Sequence, residues 1–310
     1  MVIRNTLCPS FIINLNIGDV EADKMKIAGV VVLYNPDKNI IENINSYLKE
    51  LHCLFVIDNS IEKDKQLIDG IKSLNKVIYI DNKGNKGVAN ALNTAANLAL
   101  KAGSEWLLTM DQDSKFISNN SIRKMMRATS IYNKIAIITP IHITDMIDKN
   151  KVVKSINNKN EFSIISTTFT SGNLLNLKCF REIGGFKEDY FIDYVDHEFC
   201  LRARLCGFLI VRCNSVILEH NLGSITKHKL LGWATNHPPI RRYYMTRNRL
   251  YTMYMYKDFD LSFFCKGIIE TVLEIIKIIL YERQKFKKLL MIYRGYRDFK
   301  MGIKGEYKAK

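Results

Sequence analysis

Asp111 and Asp113 stand one residue apart in "EWLLTMDQDSKF", at the end of an apolar run, Trp106 to Met110, that reads as a buried strand. Alternate residues of an extended chain share a side, so both carboxylates can reach one cation or one metal–phosphate pair. Bringing two negative charges to a strand tip is unfavourable through repulsion and partial desolvation, unless a cation or ligand compensates. Hard divalent ions such as magnesium use one or two carboxylates and leave other positions to substrate phosphates. A D-x-D alone fits a pair of solvated turn aspartates equally well. The buried strand before it favours a site.

A second acidic group lies in "YFIDYVDHEFCLRAR". On a helix Asp193 and Asp196 share a face, and Glu198 can pair with Arg202 one turn later. Asp193 reads best as a helix N-cap. Asp196 is harder to assign to structure: flanked by Val195, Phe199 and Leu201, it sits on a partly buried helix where an unpaired acid costs stability. His220 ends the strand "VILEH"; a lone histidine is more often structural than a ligand, but beside Asp113 its imidazole would complete a mixed N/O site that suits manganese. "NKGNKGVANALN", Asn82 to Asn93, can cradle a phosphate at a helix start, yet Asn and Gly are ordinary turn residues. It carries neither the dinucleotide fingerprint nor the Walker pattern, which argues against a classical NAD or ATP site.

These residues need elements to position them. "IAGVVVLY", Leu54 to Ile57, "VIYID" and Trp106 to Met110 are apolar throughout and alternate with helical stretches, the pattern of a mainly parallel sheet covered on both faces. Ligands of such sheets bind beyond the carboxyl ends of the strands, where Tyr34, Asn35, Asp58, Asn82 to Gly87, Asp111 and Asp113 collect. Further on, "IAIITP" predicts a fifth strand, Asp145 to Glu161 a polar loop, "SIISTTFTSGNLLNL" a strand, tight turn and strand, and "FLIVRCNSVILEH" strand again. "CFREIGGF" and "DYVDHEFCLRARLCG" predict helices stopped by glycine.

Of the 310 residues, 46 are Lys or Arg and 31 are Asp or Glu, a net charge of +15 that favours polyanions: nucleic acid, an anionic membrane face or phosphate-bearing substrates. The excess gathers from Arg241 onward. Seven scattered cysteines without a C-x-x-C pair predict reduced thiols in a cytosolic protein. The N-terminus lacks the features of a secretory signal. Leu261 to Tyr281, the most apolar stretch, is interrupted by Lys266, Glu270, Glu274 and Lys277 and does not predict a bilayer crossing.

Taken in order, "VVVLYNP", "VIDNS", "NKGNKGVANALN", "MDQDS", "TSGNLLN", "IGGFKEDYFIDYVDHEFCLR", "LEHNLG" and "RRYYMTRNRLY" make the chain resemble the family 2 glycosyltransferases of the GT-A fold, most closely the bacterial rhamnosyltransferases that build surface polysaccharides such as O-antigen and capsule. The resemblance runs from about Lys26 to Tyr256. It implies a Rossmann-like α/β domain over residues 26–257, after a lead-in of 1–25 and before basic amphipathic helices over 258–310.

The resemblance further implies a nucleotide-binding wall of Leu33, Tyr34, Asn35, Asp58, Asn85, Gly87 and Asn90, with Asp111 touching the donor as well. Asp111, Asp113 and His220 would be ligands of Mn2+ or Mg2+ on the donor diphosphate. Asp196 would be the catalytic base of an inverting transfer, alone because Val195 stands where similar enzymes keep a second acid. Arg247 and Asn248 are candidates for phosphate or acceptor contact, with packing and surface charge as open alternatives. The implied donor is dTDP-L-rhamnose, and the acceptor a saccharide or lipid-linked saccharide at the inner membrane face. The C-terminal helices would rest on anionic headgroups or form a homodimer. UDP-galactofuranose and UDP-N-acetylglucosamine are the alternative donors. A nucleic-acid-binding protein is the alternative of another class, and it leaves Asp111, Asp113 and Asp196 without a role.

Overall fold

Strands that are apolar on both sides need cover on both faces, and the computed structural model supplies it with helices. It describes residues 25–143, 160–220, 226–228, 232–234 and 235–308; the lead-in to residue 24 and most of the Asp145 to Glu161 segment lie outside the described residues. The first half comprises β1 (Ile27–Leu33), α1 (Ile40–Asn45), β2 (Cys53–Asp58), α2 (Lys65–Lys72), β3 (Val77–Asp81), α3 (Val88–Lys101), β4 (Trp106–Asp111), β5 (Ser114–Phe116) and α4 (Ser121–Met126). Then follow β6 (Ile135–Ile143), β7 (Phe162–Ile165), β8 (Asn173–Asn176), α5 (Leu177–Ile183), α6 (Val195–Leu205) and β9 (Leu209–His220). The chain continues through β10 (Thr226–His228), β11 (Gly232–Ala234), α7 (Pro239–Tyr256), α8 (Leu261–Tyr281) and α9 (Lys285–Lys300).

The main sheet runs β3-β2-β1-β4-β8-β6-β9-β5, with β7 also on β9. β3, β2, β1 and β4 are parallel, so their carboxyl ends share one edge: Asp81 pairs with Asp58, Asp58 with Leu33, and Asp111 with Val32. Alternate residues of each strand feed two separate cores. Val31, Leu33, Val56, Leu108 and Met110 pack with α1, α2 and α4 on one face; Val30, Phe55, Ile57 and Leu107 pack with α3, α5 and α6 on the other. Both faces are dry, which is why the strands show no polar alternation. On α3 the buried positions are mostly alanine, Ala89, Ala91, Ala95, Ala96 and Ala99, so the helix can lie close against the sheet.

Two details depart from the sequence reading. The segment read as strand, tight turn and strand is not a hairpin: β7 pairs with β9, whereas β8 lies antiparallel between β4 and β6. β5, too short to register as a pattern, pairs antiparallel with β9 and sets Ser114 opposite His220. The glycine stops hold: Gly184 caps α5 at φ +90°, and Gly207 follows α6 at φ +81°. Cys53, Cys179, Cys200, Cys206, Cys213 and Cys265 are all unpaired thiols.

Beyond the sheet, α7 packs between the α6 region and the α8–α9 pair. Its buried side is polar, with Arg242, Thr246, Arg247, Asn248, Arg249 and Thr252. α8 buries only Gly267 and Ile278 of its 21 residues. No helix among the described residues is long and apolar enough to cross a membrane.

Candidate active site

The acidic pair projects from a loop held rigid by its middle residue. Gln112, between the two acids, accepts from Tyr34 N at 2.8 Å through Oε1 and donates to Tyr34 O at 3.2 Å, clipping the ends of β1 and β4 together. Its carbonyl accepts from Asn43 at 2.8 Å. Asp111 N donates to Ser171 Oγ at 3.0 Å, and His142 Nε2 donates to Ser171 O at 2.7 Å. Burial holds His142 neutral, its pKa down to about 4.

Because β5 sets Ser114 opposite His220, the imidazole arrives beside Asp113, Nε2 to Oδ1 at 3.5 Å. Ligand atoms of Asp111, Asp113 and His220 all lie within 4.8 Å of one another. The Asp113 side chain is 42% exposed, yet its Oδ1 is turned inward and has no hydrogen-bond partner. Burial pushes Asp111 up to about 6, with Asp113 and Asp196 adding repulsion and His220 and Arg241 opposing it. Asp113 is raised as well, chiefly by burial. Two carboxylates and an imidazole, one oxygen orphaned and both acids held short of easy ionisation, fit a divalent cation of the Mn2+ or Mg2+ kind.

Of the residues expected to form the nucleotide wall, Leu33 is buried at the end of β1 and Tyr34 is 47% exposed. Asn35 adopts φ +47°, and its N donates to Ser60 Oγ at 2.7 Å. Asp58 is fixed, accepting from Tyr79 OH at 2.5 Å and Ser60 N at 2.8 Å. The Asn-rich loop is stitched inward: Asn85 Oδ1 accepts from Gly87 N at 3.0 Å, and Asn90 donates to Glu188 at 3.0 Å. Gly87 is required at φ +85°, because an added Cβ would lie 2.5 Å from Phe191 O. The first amide of α3, Val88 N, already donates to Phe191 O at 2.8 Å, so it does not face an anion as the phosphate-cradle reading supposed.

Asp196 lies half-buried in the first turn of α6. Its Oδ2 accepts from Thr170 Oγ1 at 3.4 Å, and its Oδ1 from His197 N at 2.8 Å. Since its charge raises Asp111, the two acids belong to one electrostatic neighbourhood. Asp193 is not the N-cap. Tyr194 holds that position at φ +65°, Asp193 itself is left-handed at φ +62°, and its carboxylate binds Arg241 at 3.1–3.3 Å. Glu198 pairs with Arg202 as expected, at 3.0 and 2.8 Å.

Of the open roles for Arg247, packing is the one observed. It is fully buried and donates to Asn248 Oδ1, Tyr243 OH and the carbonyls of Gly305, Asp189 and Tyr190. Tyr243 and Tyr244 stack around it, and Asn248 binds the Tyr190, Ile192 and Asp193 carbonyls. The arginine turned to the acids is Arg241, at the start of α7, whose charge acts on both Asp111 and Asp113. Aromatic residues three and four positions before Arg247 were the available signal, since on a helix they stack over it.

The chain belongs to glycosyl transferase family 2, whose family model matches residues 30–193, more than half of its length. RfbF of Shigella flexneri, a dTDP-rhamnosyl transferase, is 32% identical over 237 residues, covering 72% of this chain and 78% of that protein. Among solved structures, TarS of S. aureus superposes with a TM-score of 0.57 at 15% identity, over 89% of this chain and 81% of that one. GalNAc-T7 with UDP, GalNAc and Mn2+ gives 0.55 at 16%, over 75% of this chain and 50% of that one. At these identities the structural likeness speaks for the GT-A fold alone.

Proposed function

We propose that this glycosyltransferase moves L-rhamnose from dTDP-L-rhamnose onto a saccharide or lipid-linked saccharide, with inversion at the anomeric carbon. The observation that carries the reading is the 32% identity to a dTDP-rhamnosyl transferase over most of the chain. Asp111, Asp113 and His220 would hold the cation, which would supply positive charge to the departing diphosphate. Leu33, Tyr34, Asn35, Asp58, Asn85, Gly87 and Asn90 form the nucleotide wall. Arg241, in place of Arg247, adds a second positive charge on the leaving-group side. The acceptor hydroxyl gives its proton to Asp196 as its oxygen bonds the anomeric carbon, and the bond from that carbon to the diphosphate oxygen breaks.

The test incubates purified protein with dTDP-L-rhamnose, UDP-galactofuranose or UDP-N-acetylglucosamine, with Mn2+, Mg2+ or EDTA. Release of dTDP only with metal is expected. Release of UDP instead overturns the donor, and undiminished release in EDTA overturns the metal role.

The same reading places the enzyme in the cytoplasm, at the inner membrane face. Along α8, Ile268, Ile269, Val272, Ile276, Ile279 and Leu280 are exposed, and Phe286, 90% exposed, follows between Lys285 and Lys287. An apolar helix face with a basic aromatic margin suits an anionic leaflet. Sedimentation with phosphatidylglycerol vesicles but not with phosphatidylcholine vesicles is expected. A stable dimer in solution that ignores vesicles assigns the face to a second copy.

A further inference from the structure

Phe169 is 56% exposed in the segment between β7 and β8, one residue before the threonine that bonds Asp196. The ring is not isolated. It stands edge-on to His142 at 5.7 Å and lies 6.0 Å from His197. His197 in turn meets Tyr194 at 5.1 Å and Phe263, in the first turn of α8, at 6.1 Å. The residue after Phe169 is Thr170, which donates to the Asp196 carboxylate, and the residue after that, Ser171, receives Asp111 N. One short segment therefore carries an exposed ring, a bond to the helical acid and a bond to the metal-side acid. Within this cluster Nδ1 of His197 is buried without a hydrogen-bond partner, an omission that folded proteins rarely leave unfilled.

We propose that Phe169, His197 and Phe263 form the acceptor subsite. A sugar ring lays its C–H face on Phe169, whose ring His142 and His197 hold edge-on. The sugar then stands between the aromatic wall and Asp196, so that a hydroxyl is presented to the carboxylate. An aromatic surface with a carboxylate at its margin suits a ligand that is apolar on its faces and polar on its rim. Phe263 stands near the N-terminal end of α8, whose exposed apolar side would continue along the lipid of a lipid-linked acceptor. This inference rests on the transferase reading.

The experiment uses octyl glycosides of glucose, rhamnose and N-acetylglucosamine as acceptor probes, with dTDP-L-rhamnose and Mn2+. For Phe169→Ala the acceptor KM should rise about tenfold, the equivalent of one good aromatic contact. The dTDP affinity, measured by calorimetry with no glycoside present, should not change. Phe169→Tyr, which keeps the ring, should restore the wild-type KM. Saturation-transfer NMR with the same glycosides gives a second reading: contact confined to one sugar face in the wild type and lost in Phe169→Ala. An unchanged acceptor KM, or equal loss of dTDP affinity, overturns the subsite. If the wild type releases no nucleoside diphosphate from any donor, the transferase reading itself fails, while the NMR contact still decides whether Phe169 binds sugar.

Discussion

Two regions of this molecule take charge out of water, and they do so in opposite ways. At the α7–α9 junction the buried Glu274 and Glu282 are matched: Arg242 reaches both at 2.6 Å each, Lys288 reaches Glu282 at 2.8 Å, and Arg249 reaches Glu274 at 2.8 Å. At the sheet edge Asp111, Asp113 and Asp196 crowd together with His220 and Arg241, one carboxylate oxygen has no partner, and Asp111 is pushed up to about 6. Burial of charge is common to both and so marks neither as functional. What separates them is charge balance: at the junction Glu274 and Glu282 each meet cations within the chain, with only Arg242 Nε left over, whereas at the edge acids crowd together and burial raises two of them.

The largest effect should come from the uncompensated edge. Asp196→Asn should bind dTDP normally and lose turnover by a factor on the order of 1,000, the worth of a positioned general base. Asp113→Ala should lose turnover by a factor on the order of 100 or more and weaken Mn2+-dependent nucleotide binding. Both should melt close to the wild type. Steady-state dTDP release and calorimetry check this; either variant turning over at wild-type rate removes that residue from the chemistry.

The matched junction should answer in the other measurement. Glu282→Ala leaves Arg242 and Lys288 buried without their carboxylate and should lower unfolding free energy by about 3–5 kcal/mol. Pairing it with Lys288→Met should recover part of that loss, because one stranded cation is then gone. Denaturant unfolding decides. A loss below about 1 kcal/mol, the range of exposed ion pairs, would mean that water reaches these charges and that the two regions do not differ as described.

The same distinction explains what the sequence could and could not reveal. Strand tips were legible because Leu33, Asp58 and Asp111 each end an apolar run, and parallel pairing carries all three to one edge. The approach of His220 to Asp113 came only through the family resemblance, because it depends on β5, three residues long and without a pattern of its own. The clip made by Gln112 was hidden in the same way: its partners are Tyr34 backbone atoms 78 positions away. The basic C-terminal stretch misled most. "RRYYMTRNRLY" suggested charge offered to a polyanion, yet Arg242, Arg247 and Arg249 are buried and spent on partners inside the chain, leaving Arg241 turned to the site. Charge counted along a sequence does not say whether its partner is internal.

The smallest expected effect is the most discriminating, because its sign differs between the regions. Asp111 has its folded-state pKa raised to about 6, above that of an unfolded aspartate, so its ionised form costs stability at neutral pH. In metal-free protein Asp111→Asn should therefore raise unfolding free energy, by on the order of 1 kcal/mol once solvent screening is allowed for. The gain should be full above pH 7 and fade as pH falls through about 6 toward the unfolded value, where both states hold the proton. Saturating Mn2+ should invert the order, since the ion stabilises only the chain that binds it. Calorimetry at neutral pH, with and without Mn2+, measures both signs. If Asp111→Asn destabilises the metal-free protein, Asp111 is already compensated within the chain, and the edge is built like the junction.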